Sequence, residues 1–316
     1  MKKLAIGVQT LRWYDEANPG KSIRFIKECG FEAIDYNIDA LFKQTFDIEK
    51  LSSPIFDKSE EELIAYYEPL KNALEEHDIC VSQMHGIYPM YYLGEDARND
   101  YILEATEKIF AVCKQLGCEA VVIHPWSGVD LYKEEEKQIN LNMYRKLIPA
   151  AKKYGVKICL ENLFKHLDHD CFNAACSNAE ESCWYVDTLN AEAGEEIFGF
   201  CLDVGHTCVT GANLYQFITT LGKRLTVLHI HDNDGISDSH LIPYTQMDRT
   251  GYRLRIEWDK MIRGLKEVGY EGTLSFEVFN GIHQMPKRLR PSALRMVCDI
   301  GKYFRECIEK GDGVWQ

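Results

Sequence analysis

The stretch YGVKICLE, residues 154–161, contains one complete unit of the pattern that decides the fold. Gly155 follows a long segment of helical periodicity and suits the left-handed conformation that ends a helix. An apolar run then leads through Cys159 and Leu160 to a single ionisable residue, Glu161. The stretch therefore predicts the end of a helix, a tight turn and a buried strand, with Glu161 at the strand's carboxyl end.

Eight short apolar segments of this kind alternate with longer amphipathic segments along the chain. This alternation predicts an α/β protein, and eight units without a linker favour a single (β/α)8 TIM barrel over an open sheet. No glycine-rich dinucleotide loop or phosphate loop follows any of the strands. We expect one domain across residues 1–316, with an extended loop after strand seven at about residues 232–256. The predicted strands are residues 4–9, 33–38, 79–84, 120–124, 157–161, 199–203, 226–231 and 273–278, and the clearest predicted helices are residues 60–77, 99–116, 133–154, 258–268 and 289–309.

The composition excludes several classes of function. A formal net charge of −13 on 316 residues argues against a nucleic-acid partner, because affinity for phosphate backbones comes mainly from lysine and arginine. The longest apolar runs have the length of strands, so we expect no membrane partner. The N-terminal residues show no extended apolar region, and we expect a cytoplasmic protein whose twelve cysteines are reduced.

Ionisable residues stand at six consecutive predicted strand ends. In a barrel, such residues point into the mouth formed by the carboxyl ends of the strands, where catalytic groups gather. Converging charges in a half-buried mouth repel one another unless something neutralises them, and a divalent cation does so directly. The residues concerned are His85, His124, Glu161, Asp203 with His206, His229 with His231, and Glu277.

The last four strands offer a mixed set of oxygen and nitrogen ligands, namely Glu161, Asp203, a histidine and Glu277. Hard carboxylates with one imidazole suit Mn²⁺, Mg²⁺ or Co²⁺, and Zn²⁺ is not excluded. We expect only one of His229 and His231 to face the metal, and their spacing does not say which.

The chain resembles the xylose isomerase-like TIM-barrel superfamily of sugar isomerases and epimerases, which also contains endonuclease IV. The resemblance covers nearly the whole chain. Its most specific motifs are Leu160-Glu161-Asn162, Leu202-Asp203-Val204-Gly205-His206, His229-Ile230-His231-Asp232-Asn233-Asp234-Gly235 with Asp238-Ser239-His240-Leu241, and Phe276-Glu277.

The resemblance implies one divalent metal ion, with manganese favoured, bound by Glu161, Asp203, His231 and Glu277. It also implies that Glu161 and Glu277 are the catalytic proton-transfer pair. In members of the superfamily, the position of His206 touches the substrate, and several of the other strand-end positions bind sugar hydroxyls. The corresponding residues here are His85, His124, Asp238 and His240.

The implied reaction is a sugar isomerisation or epimerisation through an enediolate, with a small sugar or sugar derivative as the partner. The sequence does not choose between the two outcomes. Two features depart from the tagatose 3-epimerase type: Ser237 replaces an arginine, and a longer loop, residues 243–253, follows. Three residues of that loop are candidate substrate contacts, namely Tyr244, Arg249 and Arg253.

Two alternative enzymes remain open. A lyase that acts on 3-oxo-glycosides would use the same enediolate, with His124 as an additional acid. A nuclease of the endonuclease IV type would bind three zinc ions, but the charge of −13 disfavours it. Aromatic residues at 88–92 could line the mouth or a homo-oligomer contact. The positions that match the nuclease ligands are His85, His124, Glu161, Asp203, His206, His231, Asp238, His240 and Glu277.

Overall fold

Eight parallel strands form the barrel in the computed structural model, which describes residues 3–128, 133–167 and 170–310. Around the barrel the strand order is β10-β1-β2-β3-β4-β5-β8-β9, and every neighbouring pair is parallel. The two remaining strands, β6 and β7, form an antiparallel hairpin outside the barrel. The strands are β1 (Ile6–Gln9), β2 (Ala33–Asn37), β3 (Cys80–His85), β4 (Ala120–Val122), β5 (Lys157–Glu161), β6 (Phe164–Leu167), β7 (Asp170–Asn173), β8 (Phe198–Asp203), β9 (Leu225–His229) and β10 (Leu274–Phe276).

A single backbone bridge joins β9 to β10 and closes the barrel. It pairs Ile230 with Phe276 in the parallel direction. The Ile230 N–H donates to the Ser275 carbonyl over 2.9 Å, and the Glu277 N–H donates to the Ile230 carbonyl over 3.0 Å. The predicted (β/α)8 barrel is therefore confirmed, with its closing bridge directly beside His231 and Glu277.

Helices surround the barrel and begin and end at residues suited to those positions. Ser59 and Glu62 form a reciprocal capping box at the start of α3, which satisfies two otherwise unpaired backbone N–H groups. Gly269, with φ of 66°, ends α9 in the left-handed conformation. The helices are α1 (Pro19–Glu28), α2 (Ile38–Thr45), α3 (Glu60–His77), α4 (Asp96–Gln115), α5 (Lys133–Tyr154), α6 (Ala179–Ala193), α7 (Val204–Thr210), α8 (Leu214–Leu221), α9 (Trp258–Val268), α10 (Phe279–His283) and α11 (Arg290–Lys310).

Several predicted bounds agree with the structure to the residue, including β5, α3, α5 and α9. The β6–β7 hairpin was not predicted, because two strands of four residues are too short for a clear alternation of apolar and polar residues. None of the helices in the described ranges combines the length and the apolar character needed to cross a bilayer.

The main hydrophobic core lies between the strands and the surrounding helices, where Trp258 and Phe304 stack at a centroid distance of 5.6 Å. The inside of the barrel is partly polar. There the Gln83 side chain donates to Asp35 over 3.2 Å and to the carbonyl of Leu228, on a strand that does not neighbour its own, over 3.3 Å. Large apolar groups thus hold the helices in place, while polar groups occupy the interior beneath the mouth.

Gly301 lets α11 approach β1 and β10. A Cβ atom at this position would lie 2.6 Å from Cγ2 of Ile6 and 2.9 Å from Cε2 of Phe276, both of which are fully buried. We therefore expect Gly301→Ala to lower the free energy of unfolding by about 1–3 kcal/mol, as overpacking of a core does. Urea unfolding followed by circular dichroism measures the change.

Gly20→Ala is the matched control, since Gly20 also lies in a helix but has no neighbouring atom within 4 Å of the added methyl group. This variant should be neutral or more stable by up to about 1 kcal/mol, because alanine favours helix more than glycine does. Equal unfolding midpoints for the two variants would contradict the close packing of α11.

Candidate functional site

A cavity of about 280 Å³ opens at the carboxyl ends of the strands. Four of its lining residues are histidines and four are carboxylates, and no lysine or arginine lines it within the described part of the chain. This composition gives the mouth an excess of hydrogen-bond acceptors and negative charge. The lining residues are Gln9, Leu11, Asn37, Asp39, His85, Tyr88, His124, Glu161, Leu163, Phe164, His206, Asp238, His240, Glu277 and Phe279.

Glu161, the last residue of β5, is 1% exposed and lies between two imidazoles. Its Oε2 atom is 2.9 Å from Nε2 of His124, and its Oε1 atom is 3.2 Å from Nδ1 of His229. Both oxygens are therefore within reach of a ring nitrogen before any ligand binds.

Asp203 and His231 form a fully buried pair beside the cavity. Both carboxylate oxygens of Asp203 are 3.1 Å from Nε2 of His231. The Asn162 side chain fixes the backbone of Asp203 through two hydrogen bonds, of 2.8 and 2.9 Å. Gly205 leaves the room that the imidazole occupies, because a Cβ atom there would overlap the ring of His231.

Glu277 follows β10 and reaches the same cavity from the other side of the closing bridge. Its Oε1 atom accepts a hydrogen bond from the side-chain amide of Gln9 and lies 3.4 Å from Nε2 of His229. Its Oε2 atom lies 3.6 Å from Nδ1 of His240. His229 therefore contacts both Glu161 and Glu277.

The expectation that only one histidine of the His229–His231 pair faces the site is wrong. Residues two apart on a strand share a face, and both side chains lie among the carboxylates of the interior. His229 contacts Asp35, at 3.2 Å, in addition to Glu161 and Glu277, whereas His231 contacts Asp203.

Asp238 connects two further histidines to this group. Its Oδ2 atom lies 3.0 Å from Nε2 of His240 and 3.4 Å from Nε2 of His206. The His240 ring stacks on His231 with a centroid distance of 4.1 Å. His85 lies on the other side of the cavity, where its ring centroid is 4.8 Å from that of His124. His85, His124, His206, Asp238 and His240 thus all line one cavity.

The four predicted metal ligands surround the cavity without converging on one point. Among the described residues, several groups have ligand atoms that all lie within 4.8 Å of one another, but no single group contains all four predicted ligands. Asp203 and His231 belong to a group with His206, whereas Glu161 and Glu277 belong to separate groups that each include His229. The side chain of His206 bridges part of this division, since its Nδ1 atom is 3.6 Å from Glu161 and 3.8 Å from Asp203.

Electrostatics distinguish the two glutamates. Burial acts to raise the pKa of Glu161, but the imidazoles of His124 and His229 outweigh it and hold this pKa well below its usual value. Burial raises the pKa of Glu277 well above its usual value, and the carboxylates of Asp35 and Glu161 add to that effect against the opposing His229. The surroundings therefore favour the charged form of Glu161 and the protonated form of Glu277.

The histidines also divide into two kinds. Burial disfavours the charged form of His231, but the carboxylates of Asp203 and Asp238 raise its pKa to about 9. Burial and then the neighbouring His124 lower the pKa of His85 to about 4. These directions favour protonated imidazole at His231 and neutral imidazole at His85.

Several polar residues of the site were missed in the sequence. Gln9 bonds to Glu277, while Asp35 and Gln83 lie beneath the mouth in contact with His229 and with each other. Gln9 is the last residue of β1 and Asp35 lies within β2, so attention to polar residues on the first two strands would have found them.

The three candidate contacts in the long loop after β9 do not line the cavity. Tyr244 packs against Trp258 with a centroid distance of 5.8 Å, and Arg253 lines a separate cavity with it. Arg249 is exposed. Only the first part of the loop, which carries Asp238 and His240, reaches the mouth.

Sequence comparison identifies several relatives, among them inosose isomerases. The chain is 28% identical over 187 residues to inosose isomerase of Bacillus subtilis (strain 168), which covers 58% of this chain and 62% of that enzyme. It is 24% identical over 289 residues to a protein of Sinorhizobium fredii (strain NBRC 101917 / NGR234), which covers 84% of this chain and 82% of that one. A match to a protein of Methanocaldococcus jannaschii, at 27% identity, covers 52% of each chain. The matches thus span 62% of the length of the Bacillus subtilis enzyme and 52% of the length of the Methanocaldococcus jannaschii protein.

Solved structures share the fold over nearly the whole chain. The 3-keto-D-glucoside 4-epimerase from E. coli superposes with a TM-score of 0.70 at 18% identity, covering 96% of this chain and 100% of that one. The IOLI protein with a bound zinc atom gives a TM-score of 0.66 at 18% identity, covering 98% and 100%. These identities establish a common fold.

A family model described as the xylose isomerase-like TIM barrel matches residues 23–297, most of the chain. The match includes β2 through β10 and all of the strand-end residues of the cavity except Gln9. The chain therefore belongs to the xylose isomerase-like TIM-barrel family.

Proposed function

We propose that the protein is a divalent-metal-dependent isomerase or epimerase of a small sugar or sugar derivative. The observation that carries the proposal is the position of Glu161 and Glu277, two buried carboxyl groups that line one small cavity and contact the same imidazole, His229. Their pKa values are displaced in opposite directions, which is typical of paired acid and base groups. The inosose isomerase and epimerase relatives support the same class of reaction.

The proposed metal ligands are Glu161, Asp203, His231 and Glu277. Three carboxylates and one imidazole suit a hard or borderline divalent cation, and manganese is our first choice. Burial, and after it the neighbouring carboxylates, raise the pKa of Glu277, and a cation would relieve the repulsion between these carboxylates, since the described lining of the cavity offers no lysine or arginine to do so. Small side-chain rotations would have to bring the four together from their separate groups.

The two glutamates would move the proton. One carboxylate takes a proton from the carbon beside the substrate carbonyl, and the resulting electron pair forms an enediolate. A proton returned to the former carbonyl carbon, with the remaining hydroxyl proton passed from one enediolate oxygen to the other, completes an aldose–ketose isomerisation. A proton returned to the opposite face of the original carbon completes an epimerisation. A divalent cation bound to the substrate oxygens would stabilise the negative charge of the enediolate.

Other residues would bind and orient the substrate hydroxyls. We propose this role for His206, His85, His124, His240 and Asp238, which line the cavity together. Imidazole and carboxylate groups suit neutral polyhydroxy ligands, to which they both donate and accept hydrogen bonds. The absence of lysine and arginine from the described lining disfavours a phosphodiester and therefore the nuclease alternative.

Replacement of either glutamate tests the proton transfer. We expect Glu161→Gln and Glu277→Gln each to lower solvent deuterium incorporation beside the ketose carbonyl at least about 100-fold, because an amide cannot exchange the proton. NMR of the sugar in D₂O measures the incorporation. Glu196→Gln, at an exposed position, is the control and should leave it unchanged. Exchange that persists in both site variants would disprove the assignment.

The choice of substrates in this assay separates the isomerase and epimerase reactions from the lyase alternative. Free ketoses, inososes and 3-oxo-glycosides are incubated with the metal-loaded protein side by side. Exchange and conversion of the unsubstituted sugars without loss of a leaving group support the proposal. Release of an aglycone from the 3-oxo-glycosides alone would favour the lyase.

Metal content tests the ligand assignment. We expect mass spectrometry of the purified protein to find about one divalent ion per chain. Asp203→Asn and His231→Gln should each weaken manganese binding more than about 100-fold, which is more than the loss of a residue that only orients a metal ligand would cause. His283→Gln, which replaces a histidine absent from the cavity lining, should bind as the unchanged protein does. About three zinc ions per chain would instead favour the nuclease arrangement.

A further inference from the structure

A second cavity adjoins the candidate site on the side of the β3 and β4 loops. Its volume is also about 280 Å³, and Tyr88, Leu163 and Phe164 belong to the walls of both cavities. We call this second cavity the aromatic cleft and define it by Tyr91, Tyr92, Trp126 and Phe164. The two cavities therefore adjoin at Tyr88, Leu163 and Phe164.

Five aromatic residues contribute to the walls of this cleft. Tyr91 and Trp126 meet edge to face with a centroid distance of 5.8 Å, and all four aromatic residues that define the cleft are partly exposed. Partly exposed rings in a concave surface offer flat apolar faces together with hydroxyl and indole donors at their edges. The C–H faces of a sugar ring pack against such rings, while its hydroxyls reach the edges.

The loops that carry these rings are fixed before any ligand binds. Asn99 holds the backbone of Tyr92 with two hydrogen bonds of 2.7 Å, one to its N–H and one to its carbonyl. Asn140, fully buried in α5, holds the backbone of Trp126 in the same manner, over 2.7 and 2.8 Å. Pre-organised walls reduce the entropy lost when a ligand binds.

The charged residues at the cleft are already engaged. The Glu95 carboxylate pairs with Arg98 over 3.1 Å, and the Lys165 ammonium donates to the carbonyl of Gly128 over 2.7 Å. The Glu95 carboxylate is thus paired with a cation, whereas the Lys165 ammonium keeps its positive charge and uses a donor on a backbone carbonyl.

We propose that the aromatic cleft is a subsite for a second sugar ring, so that the protein binds a sugar that carries a second ring more tightly than a free monosaccharide. The proposal rests on the proposed function, because the first cavity must accept a sugar for the second to extend it. Two adjoining cavities of equal volume, one lined by acids and imidazoles and the other by fixed aromatic rings, match one reacting ring and one stacked ring.

Binding measurements without turnover test the subsite. Isothermal titration calorimetry with the manganese-supplemented protein compares glucose with the disaccharides maltose, cellobiose, gentiobiose and sucrose, and with 4-nitrophenyl β-glucoside. We expect at least one disaccharide to bind about tenfold more tightly than glucose. Trp126→Ala should bring the affinity for that disaccharide to within about twofold of the affinity for glucose and leave the affinity for glucose unchanged.

Two further variants show whether the effect belongs to the ring in the cleft. Trp126→Phe keeps an aromatic face and should recover most of the preference for the disaccharide. Trp184→Ala is the matched control, since Trp184 is 39% exposed and is not part of the cleft. Unfolding midpoints of all variants identify any loss of affinity that comes from loss of folded protein.

Several outcomes would overturn the subsite. One is equal affinity for glucose and every disaccharide, and another is no measurable binding of any of these sugars. A third is tighter binding of the nitrophenyl glucoside than of every disaccharide. A change of oligomeric mass in Trp126→Ala without a change of sugar affinity would assign the cleft to a contact between chains and overturn it also. Because binding needs no proton transfer, a disaccharide preference that coexists with unaltered deuterium exchange in the glutamate variants would refute the proposed function and leave the subsite standing.

Discussion

Repulsion between carboxylates at the mouth of the barrel is the constraint on which the site depends. Asp35, Glu161, Asp203 and Glu277 come from four strands and are all at least 97% buried. In the described structure, imidazole and amide groups contact these carboxyl groups, and the cavity lining contributes no lysine or arginine. Their interactions fix which groups hold protons, and the histidines hold the carboxylates apart. The cavity is consequently rich in groups that bind a cation or exchange a proton.

The barrel itself could be predicted because its signals are local. Glycine at helix ends and apolar strands that finish in an ionisable residue recur along the chain, and they placed β5 and α5 without error. The ligand candidates followed from one geometric rule, that the carboxyl ends of parallel strands meet at one mouth. The sequence also predicted that His85, on β3, and His240, far along the chain, would share a cavity.

Contacts between distant side chains could not be predicted. The position of His229 between Glu161 and Glu277 depends on three strands at once, and no spacing along one strand reveals it. Likewise, Tyr244 was considered as a substrate contact because its loop is long, whereas burial against Trp258 and Phe304 determines its position. The aromatic cleft combines residues of three separate loops, which only the folded chain brings together.

The single bridge between Ile230 and Phe276 has a mechanical consequence. His231 and Glu277 are the next residues along each strand, so the two backbone hydrogen bonds that close the barrel also set the distance between these side chains. A fluctuation that opened the barrel between β9 and β10 would therefore also separate His231 from Glu277. The rigidity of the bridge that closes the barrel and the rigidity of this part of the site are therefore coupled.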